Sequence, residues 1–368
     1  MAPTLSRPAH TGISRRAGLT LLTVVVMVAV VAVLNLVHVP KVIYRPGPAY
    51  DTLGEIDDKP IIDVEGLPTY PTSGTLDFTT ITLSGGPRFP VSAWEWMTAS
   101  LDPASSIADE EDVFPENVTA SEVREQNLEL MTGSQRQAAV VALRAIGEEV
   151  PEEVKVAQVL KDAPADGVLK VNDRVVAVGD TRIQTPDDLR AVLQDVQPGR
   201  SVEFTVERDG EQRRVKVPTE EATSTDEDGV EVSRTIIGIY PASDFDLPHT
   251  VTINAGNVGG PSAGLMFSLA VYDTITEGEL TGGRSFAGTG TINSEGEIGP
   301  IGGIEQKMIA AERADADYFL APSGNCPEVV GHVPDGLKVA KVASFEEARS
   351  VVEAVGKDPD ARLPRCAS

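Results

Sequence analysis

The chain has 368 residues, room for two or three domains, and the composition of a folded protein. A formal net charge of −25 excludes a broad basic surface, so no nucleic acid partner is expected, because phosphate binding needs clustered Lys and Arg. Two cysteines, Cys326 and Cys366, cannot build a four-thiolate zinc site, and neither HExxH nor G-x-x-x-x-G-K-[ST] occurs, so no metal or nucleotide cofactor is expected. An oxidising compartment would permit the two thiols to pair, but the distance between their α-carbons is not legible in sequence and the pairing stays open.

Residues 1–16 form a polar tail with Arg7, Arg15 and Arg16, and from Ala17 to Val37 no charged residue occurs. Some twenty apolar residues at about 1.5 Å each cross a hydrocarbon core of about 30 Å. A cleaved signal peptide would have a shorter apolar core followed by a small-x-small site. This run instead continues into Asn35, His38 and Pro40, so residues 17–39 read as an uncleaved single-pass signal anchor in the lipid bilayer. Three arginines before the span, against Lys41 and Arg45 after it, place the N-terminus in the cytoplasm and everything after residue 40 outside the cell membrane.

Residues 40–150 are expected to form a β-rich membrane-proximal domain. Thr75–Leu83 has strand composition, and Ser121–Ile146 reads as a helix with an apolar stripe through Ala138, Ala142 and Ala145. No catalytic pattern stands out there, and Trp94 and Trp96 read as structural anchors. Residues 151–218 change texture: a strand in VKVAQVL, the turn-rich DAPADG, and a helix from Pro186 capped by Thr185. Two strands then turn at Asp209-Gly210. Residues 219–234 are acidic and read as a linker or a solvated hairpin, 235–355 as the last folded domain, and 356–368 as a tail.

The chemistry concentrates in that last domain. A Gly-Gly-Pro turn places Ser262 at the start of an apolar helix running through Leu265–Val271, where unpaired N–H groups can stabilise an oxyanion. Downstream, the glycine-rich turn 299–303 opens a second helix whose apolar stripe holds Ile304, Met308 and Ala311. Lys307 falls within that stripe. Burial would lower its pKa, and a neutral amine can take a serine proton as general base. A stripe lysine can also extend to water, so the expectation rests on the two motifs together.

These motifs resemble the proteolytic domain of Lon proteases. The nucleophile motif stands as Pro261-Ser262-Ala263-Gly264 and the lysine motif as Pro300-Ile301-Gly302-Gly303 with Lys307. The resemblance implies a catalytic Ser262–Lys307 dyad supported by Thr289, with Gly260, Pro261 and Ala263 shaping the backbone around the nucleophile. Gly259 stands where most Lon proteases carry an acidic residue, which implies a more open or differently regulated site. Residues 151–218 resemble a PDZ domain through Ala163-Pro164-Ala165, Gly167-Val168-Leu169, Asn172-Asp173-Arg174-Val175 and Leu189, without a GLGF-like loop before the first strand. The domain would bind peptides as an added strand or act as a rigid spacer.

The order of anchor, PDZ and protease domain resembles the PDZ-containing Lon-like (YlbL-type) proteases of Gram-positive bacteria. It implies an α+β multidomain protein: one transmembrane helix, a β-rich membrane-proximal region, a PDZ domain and a C-terminal Lon-type protease domain. The implied function is ATP-independent, PDZ-assisted endopeptidase activity on unfolded or membrane-proximal extracytoplasmic proteins, with a hexameric homo-oligomer by resemblance. The alternative is a catalytically silent PDZ scaffold on the membrane. A trypsin-like reading of GNVGGP fails because Val258 occupies the nucleophile position and His249 lies only nine residues upstream.

Overall fold

The computed structural model describes residues 15–86, 89–114, 119–225 and 231–367. The expected cytoplasmic tail lies outside these except for its last two residues, as do residues 226–230 of the acidic segment. The first helix, α1 (Arg15–Leu36), carries the apolar run, and none of its Leu19–Leu36 stretch is buried by protein. Its polar side chains are satisfied within the helix. Thr20 and Thr23 donate to the carbonyls of Arg16 and Leu19 at 3.0 Å, and Asn35 donates to Val31 at 2.9 Å. Such pairing would suit hydrocarbon, where a polar group without a partner costs several kcal/mol. By length and composition α1 can cross a membrane, and a signal sequence would pass the same test.

After α1 come β1 (Lys41–Asp51), β2 (Thr75–Ser84), α2 (Ala93–Ala99), β3 (Ser106–Asp109) and the long α3 (Ala120–Ala145). A second group follows: β4 (Glu152–Val159), β5 (Arg174–Val178), α4 (Pro186–Gln194), β6 (Ser201–Arg208), β7 (Glu211–Pro218) and β8 (Ile239–Phe245). The chain ends with α5 (Gly264–Ile275), β9 (Ser285–Gly288), α6 (Ile304–Arg313), β10 (Tyr318–Pro322), β11 (Lys338–Val342) and α7 (Phe345–Lys357). These elements sort into two compact units, one of residues up to 142 together with 251–368, the other of residues 143–250.

That division corrects two expected boundaries. Residues 40–150 do not form a separate membrane-proximal domain. Their strands complete the sheet of the C-terminal region, in the order β11-β10-β9-β2-β1-β3. β2 pairs parallel to β9, with Leu76 opposite Phe286 and Phe78 opposite Gly288, while β1 runs antiparallel to β2 and β3. The reason lies in β2 itself. Leu76, Asp77, Phe78 and Thr79 are buried in succession, so both faces of the strand are covered, which suits an interior strand and not a half-solvated edge. α5 packs on this sheet, with the Phe267 ring 5.2 Å from that of Phe78. It is apolar nearly all round and buried from Gly264 to Val271.

In the second unit the sheet order is β7-β6-β5-β4-β8. β8, expected within the protease domain at 235–355, belongs here instead, pairing antiparallel with β4 from Ile239–Val159 to Phe245–Glu152. Its anchor is Ile237, packed in a core with Val154, Leu189 and Phe204. Gly238 takes φ +76° beside Ala163, whose Cβ would stand 2.2 Å from any Cβ at 238. The helix α4 begins as expected, with Thr185 and Asp188 forming a reciprocal cap and Pro186 in the first turn. The acidic segment is a hairpin, Glu220–Thr225 against Glu231–Ile236. Arg208 grips the buried carboxylate of Asp173 with two donors at 2.6 Å, a fork-to-fork pair.

Cys326 and Cys366 are joined as a disulfide across a sequence separation of 40, tying the C-terminal segment to the turn after β10. Closing a loop of that length restricts the unfolded chain by about 4 kcal/mol in the chain-entropy account. Cys366→Ser is therefore expected to lower the stability of the first unit by up to about that amount in oxidising buffer and by little in excess reductant. Denaturant titrations with and without reductant measure the difference.

Candidate active site

The nucleophile turn is held from two sides before it reaches α5. The carbonyl of Ser262 accepts from Gly290 N–H at 2.8 Å and from the Thr289 hydroxyl at 2.9 Å. On the other side α3 acts as a buttress. The Asn127 carbonyl accepts from Gly260 N–H at 2.8 Å, and the Ser134 hydroxyl donates to the Pro261 carbonyl at 2.9 Å. This contact explains two glycines. A Cβ at Gly259 would stand 2.9 Å from the Asn127 Cβ, leaving no room for the acidic side chain of Lon proteases. A Cβ at Gly264 would stand 2.7 Å from Ser134 Oγ and 2.8 Å from Ile292 Cγ2.

α6 carries Lys307 to the same place. It starts at Gly303, whose φ of +70° is a left-handed conformation suited to glycine. Ile304, Met308 and Ala311 are buried with Ala287 and Phe319, which puts Lys307 inside the protein at 3 % exposure. α6 rests on β1 and β2, so strands in which sequence showed no catalytic pattern provide the bed for the lysine helix. Thr79 of β2 also donates to the Gly288 carbonyl at 3.2 Å, just ahead of Thr289. The turn before α6 is clamped by buried Asn325, which accepts from Ile301 N–H at 2.9 Å and donates to the Ile301 carbonyl at 2.8 Å. Asn325 is next to the disulfide half-cystine Cys326.

The result is a compact triangle. Lys307 Nζ lies 2.8 Å from Ser262 Oγ and 2.9 Å from Thr289 Oγ1, while Ser262 itself is only half-buried. Burial pulls the lysine pKa down from 10.5 to about 7, because the charged ammonium loses its hydration. A large share of the amine is therefore neutral near neutral pH, and it donates to both hydroxyls. Of the backbone groups around Ser262, Gly260 N–H is committed to Asn127 and Pro261 has none, which leaves the N–H groups of Ser262 and Ala263 for a reacting oxygen. Among the described residues no group of three or more His, Cys, Asp or Glu stands where it could hold a metal ion. His249 lies in the second unit, with Nε2 3.7 Å from Glu148.

Sequence reading missed Asn127, Ser134, Thr79 and Asn325. The run of close-packed glycines at 259, 260 and 264 signalled that something approaches the turn, but not what. It also missed the apolar-Gly-apolar turn Ile237-Gly238-Ile239, which lies after the last strand of the second unit's meander and not before its first. The turn leads into β8, an edge strand of its sheet among the described residues, with α4 packed nearby.

Comparison with known proteins places names on these parts. A lysine amine held beside a serine hydroxyl at a helix start is an arrangement that a serine-type peptidase can use. More particularly, residues 247–355 match the Lon protease (S16) C-terminal proteolytic domain, and residues 123–219 match the PDZ domain family. The chain thus carries a PDZ domain followed by a Lon-type proteolytic domain. It is 30 % identical over 112 residues to the Lon protease of Mycoplasma mycoides and 32 % over 101 residues to that of Treponema pallidum. These matches cover 30 % and 27 % of this chain but only 14 % and 11 % of the relatives. Among solved structures, the PDZ domain of the SdrC-like protein from Listeria innocua is 19 % identical, covering 24 % of this chain and 92 % of that one. Its TM-score of 0.20 is too low to add weight.

Folding lowers the proton affinity of Lys307 from 10.5 to about 7, so between those values the unfolded chain binds more protons and stability rises with pH. Lys307→Met is expected to fold and to flatten that rise. Denaturant midpoints of both proteins at about pH 7 and about pH 9 measure it: wild type gains stability between the two, and the variant gains less.

Proposed function

We propose that this protein is a membrane-anchored serine endopeptidase that works without ATP, with Ser262 as nucleophile and Lys307 as general base. The observation that carries the reading is the 2.8 Å approach of a buried Lys307 amine to Ser262 Oγ. The hydroxyl gives its proton to Nζ as Oγ attacks the scissile carbonyl carbon. The oxygen, now negative, is stabilised by the N–H groups of Ser262 and Ala263 at the start of α5. The ammonium then protonates the departing amine, leaving an acyl-enzyme. Water enters, passes a proton to the neutral amine as it attacks the acyl carbon, and the ammonium returns that proton to Ser262 Oγ as the acyl C–O bond breaks, which releases the acid and restores Ser262. Thr289 orients the amine at 2.9 Å and holds the Ser262 carbonyl, so one hydroxyl aligns both partners.

The substrates are protein segments able to enter extended, since the chemistry of the site needs an accessible backbone. The PDZ domain selects them by adding a peptide strand along β8, supported by that strand's position at the sheet edge beside α4. α1 holds the N-terminus in the cytoplasm and the catalytic unit outside. The Cys326–Cys366 bond supports that side, because disulfides persist in oxidising compartments. A hexameric ring is part of the reading through the resemblance to Lon proteases.

The test is cleavage of an unfolded protein by the full chain in detergent, without nucleotide. Ser262→Ala and Lys307→Ala should each lower kcat/KM by about a thousandfold or more while folding as wild type does. Loss in neither variant would remove the dyad. No cleavage by any form, with no labelling of Ser262 by a serine-reactive phosphonate, would favour a silent scaffold. The pH profile gives an independent check. Below about pH 7 the rate should fall roughly tenfold per unit as Lys307 takes up its proton, and above it the rate should level off.

A further inference from the structure

The search for unassigned surfaces leads to α2. This short helix starts at a reciprocal cap, with Ser92 accepting from Glu95 N–H and Glu95 accepting from Ser92 N–H. Its inner side is fixed by Ala99, packed with Ile43 and Val91. Its other side is only partly covered by protein. Trp96 is 42 % exposed, Met97 37 %, and Leu101, just past the last turn, 80 %. Trp96 and Met97 are consecutive near the end of α2 and Leu101 follows just after the helix, so the three exposed side chains cluster within a short stretch of chain. Phe89, three residues before the cap, is also exposed. Large apolar side chains exposed close together mark a contact surface.

The position of the patch says what covers it. Ala93 N–H donates to the Val37 carbonyl at 2.7 Å, and His38 and Val39 pair with Ser92 and Val91. Val37 directly follows α1, and α2 packs against α1. The apolar cluster is thus joined to the exit of the apolar span by one hydrogen bond and a two-residue strand pair. Its chemistry fits the same conclusion. Tryptophan offers an apolar body with one N–H donor and favours the headgroup boundary of a bilayer. The exposed side chains are apolar, not cationic, and a chain of net charge −25 gains nothing overall from anionic headgroups. Contact with lipid here is by insertion of apolar mass.

We propose that the exposed apolar cluster at the end of α2, Trp96 and Met97 with Leu101 just beyond it, is seated in the lipid interface of the membrane that α1 crosses. The inference rests on the reading of α1 as a retained span. One helix alone would leave the attached unit free to swivel. A second contact beside it removes that freedom and holds β1 and its sheet at one height and tilt above the membrane.

The chain has two tryptophans, Trp94 and Trp96, both on α2, so intrinsic fluorescence reports on this helix alone. The full chain is reconstituted in vesicles of phosphatidylcholine brominated either near the ester end or near the methyl end of the acyl chain. The expected result is a loss of roughly half the emission with bromine near the ester end and less with bromine near the methyl end. Trp94→Phe, which keeps Trp96, should be quenched more than Trp96→Phe. Emission unchanged by either lipid and fully quenched by aqueous acrylamide would overturn the proposal. Alkaline carbonate extraction of the same vesicles separates the two readings. Retention of the chain with unquenched tryptophan sinks only the α2 contact, whereas release of the chain sinks the span and the contact with it.

Discussion

An amine withdrawn from water sets the terms for the catalytic unit. Lys307 can be neutral near neutral pH only because α6 is pressed onto a sheet and the lysine lies on its buried side. Keeping that position dry requires a continuous floor beneath α6, and β1 and β2 supply part of it. The turn at Ser262, which brings its hydroxyl to that amine, is pinned by Thr289 and Gly290 on one side and by α3 on the other. Hydrogen bonds to backbone carbonyls and N–H groups do most of this positioning.

The same requirement accounts for the discontinuous build of the first unit. A proteolytic domain formed by residues 247–355 alone would expose the flank of β9, since β2 comes from residues 75–84. It would also lack the Asn127 and Ser134 contacts that hold the turn at Ser262. The segment between α1 and the PDZ domain is therefore structural support for the site. The PDZ unit is inserted between the two halves of this sheet in sequence, so the chain leaves the unit near the end of α3, after residue 142, and returns to it at residue 251.

Much of this was legible in the residues themselves. The apolar run of α1, the Thr185-Pro186 start of α4, the Asp209-Gly210 hairpin and the long helix of α3 all follow from local periodicity and caps, which act within a few residues. The Ser262 and Lys307 motifs were legible because their glycines and prolines specify turns into helices. Ser134 and Asn325 were not, because a polar side chain that clamps a backbone group carries no local pattern. Ser134 reaches a carbonyl 127 positions away. β8 was misplaced for a related reason: an edge strand is defined by its neighbour, and Val159 lies 80 positions from Ile239.

The sequence by itself determined the kinds of element, the chemical identity of the pair, and the compartment-dependent option of a disulfide, since each depends on residue type and short spacing. Tertiary structure decided which strands share a sheet, that Cys326 and Cys366 meet, and that the Lys307 amine comes within 2.8 Å of Ser262 Oγ. Those outcomes depend on burial and long-range pairing. A lysine on an apolar stripe could equally have extended to water, and only the packing around it closes that route.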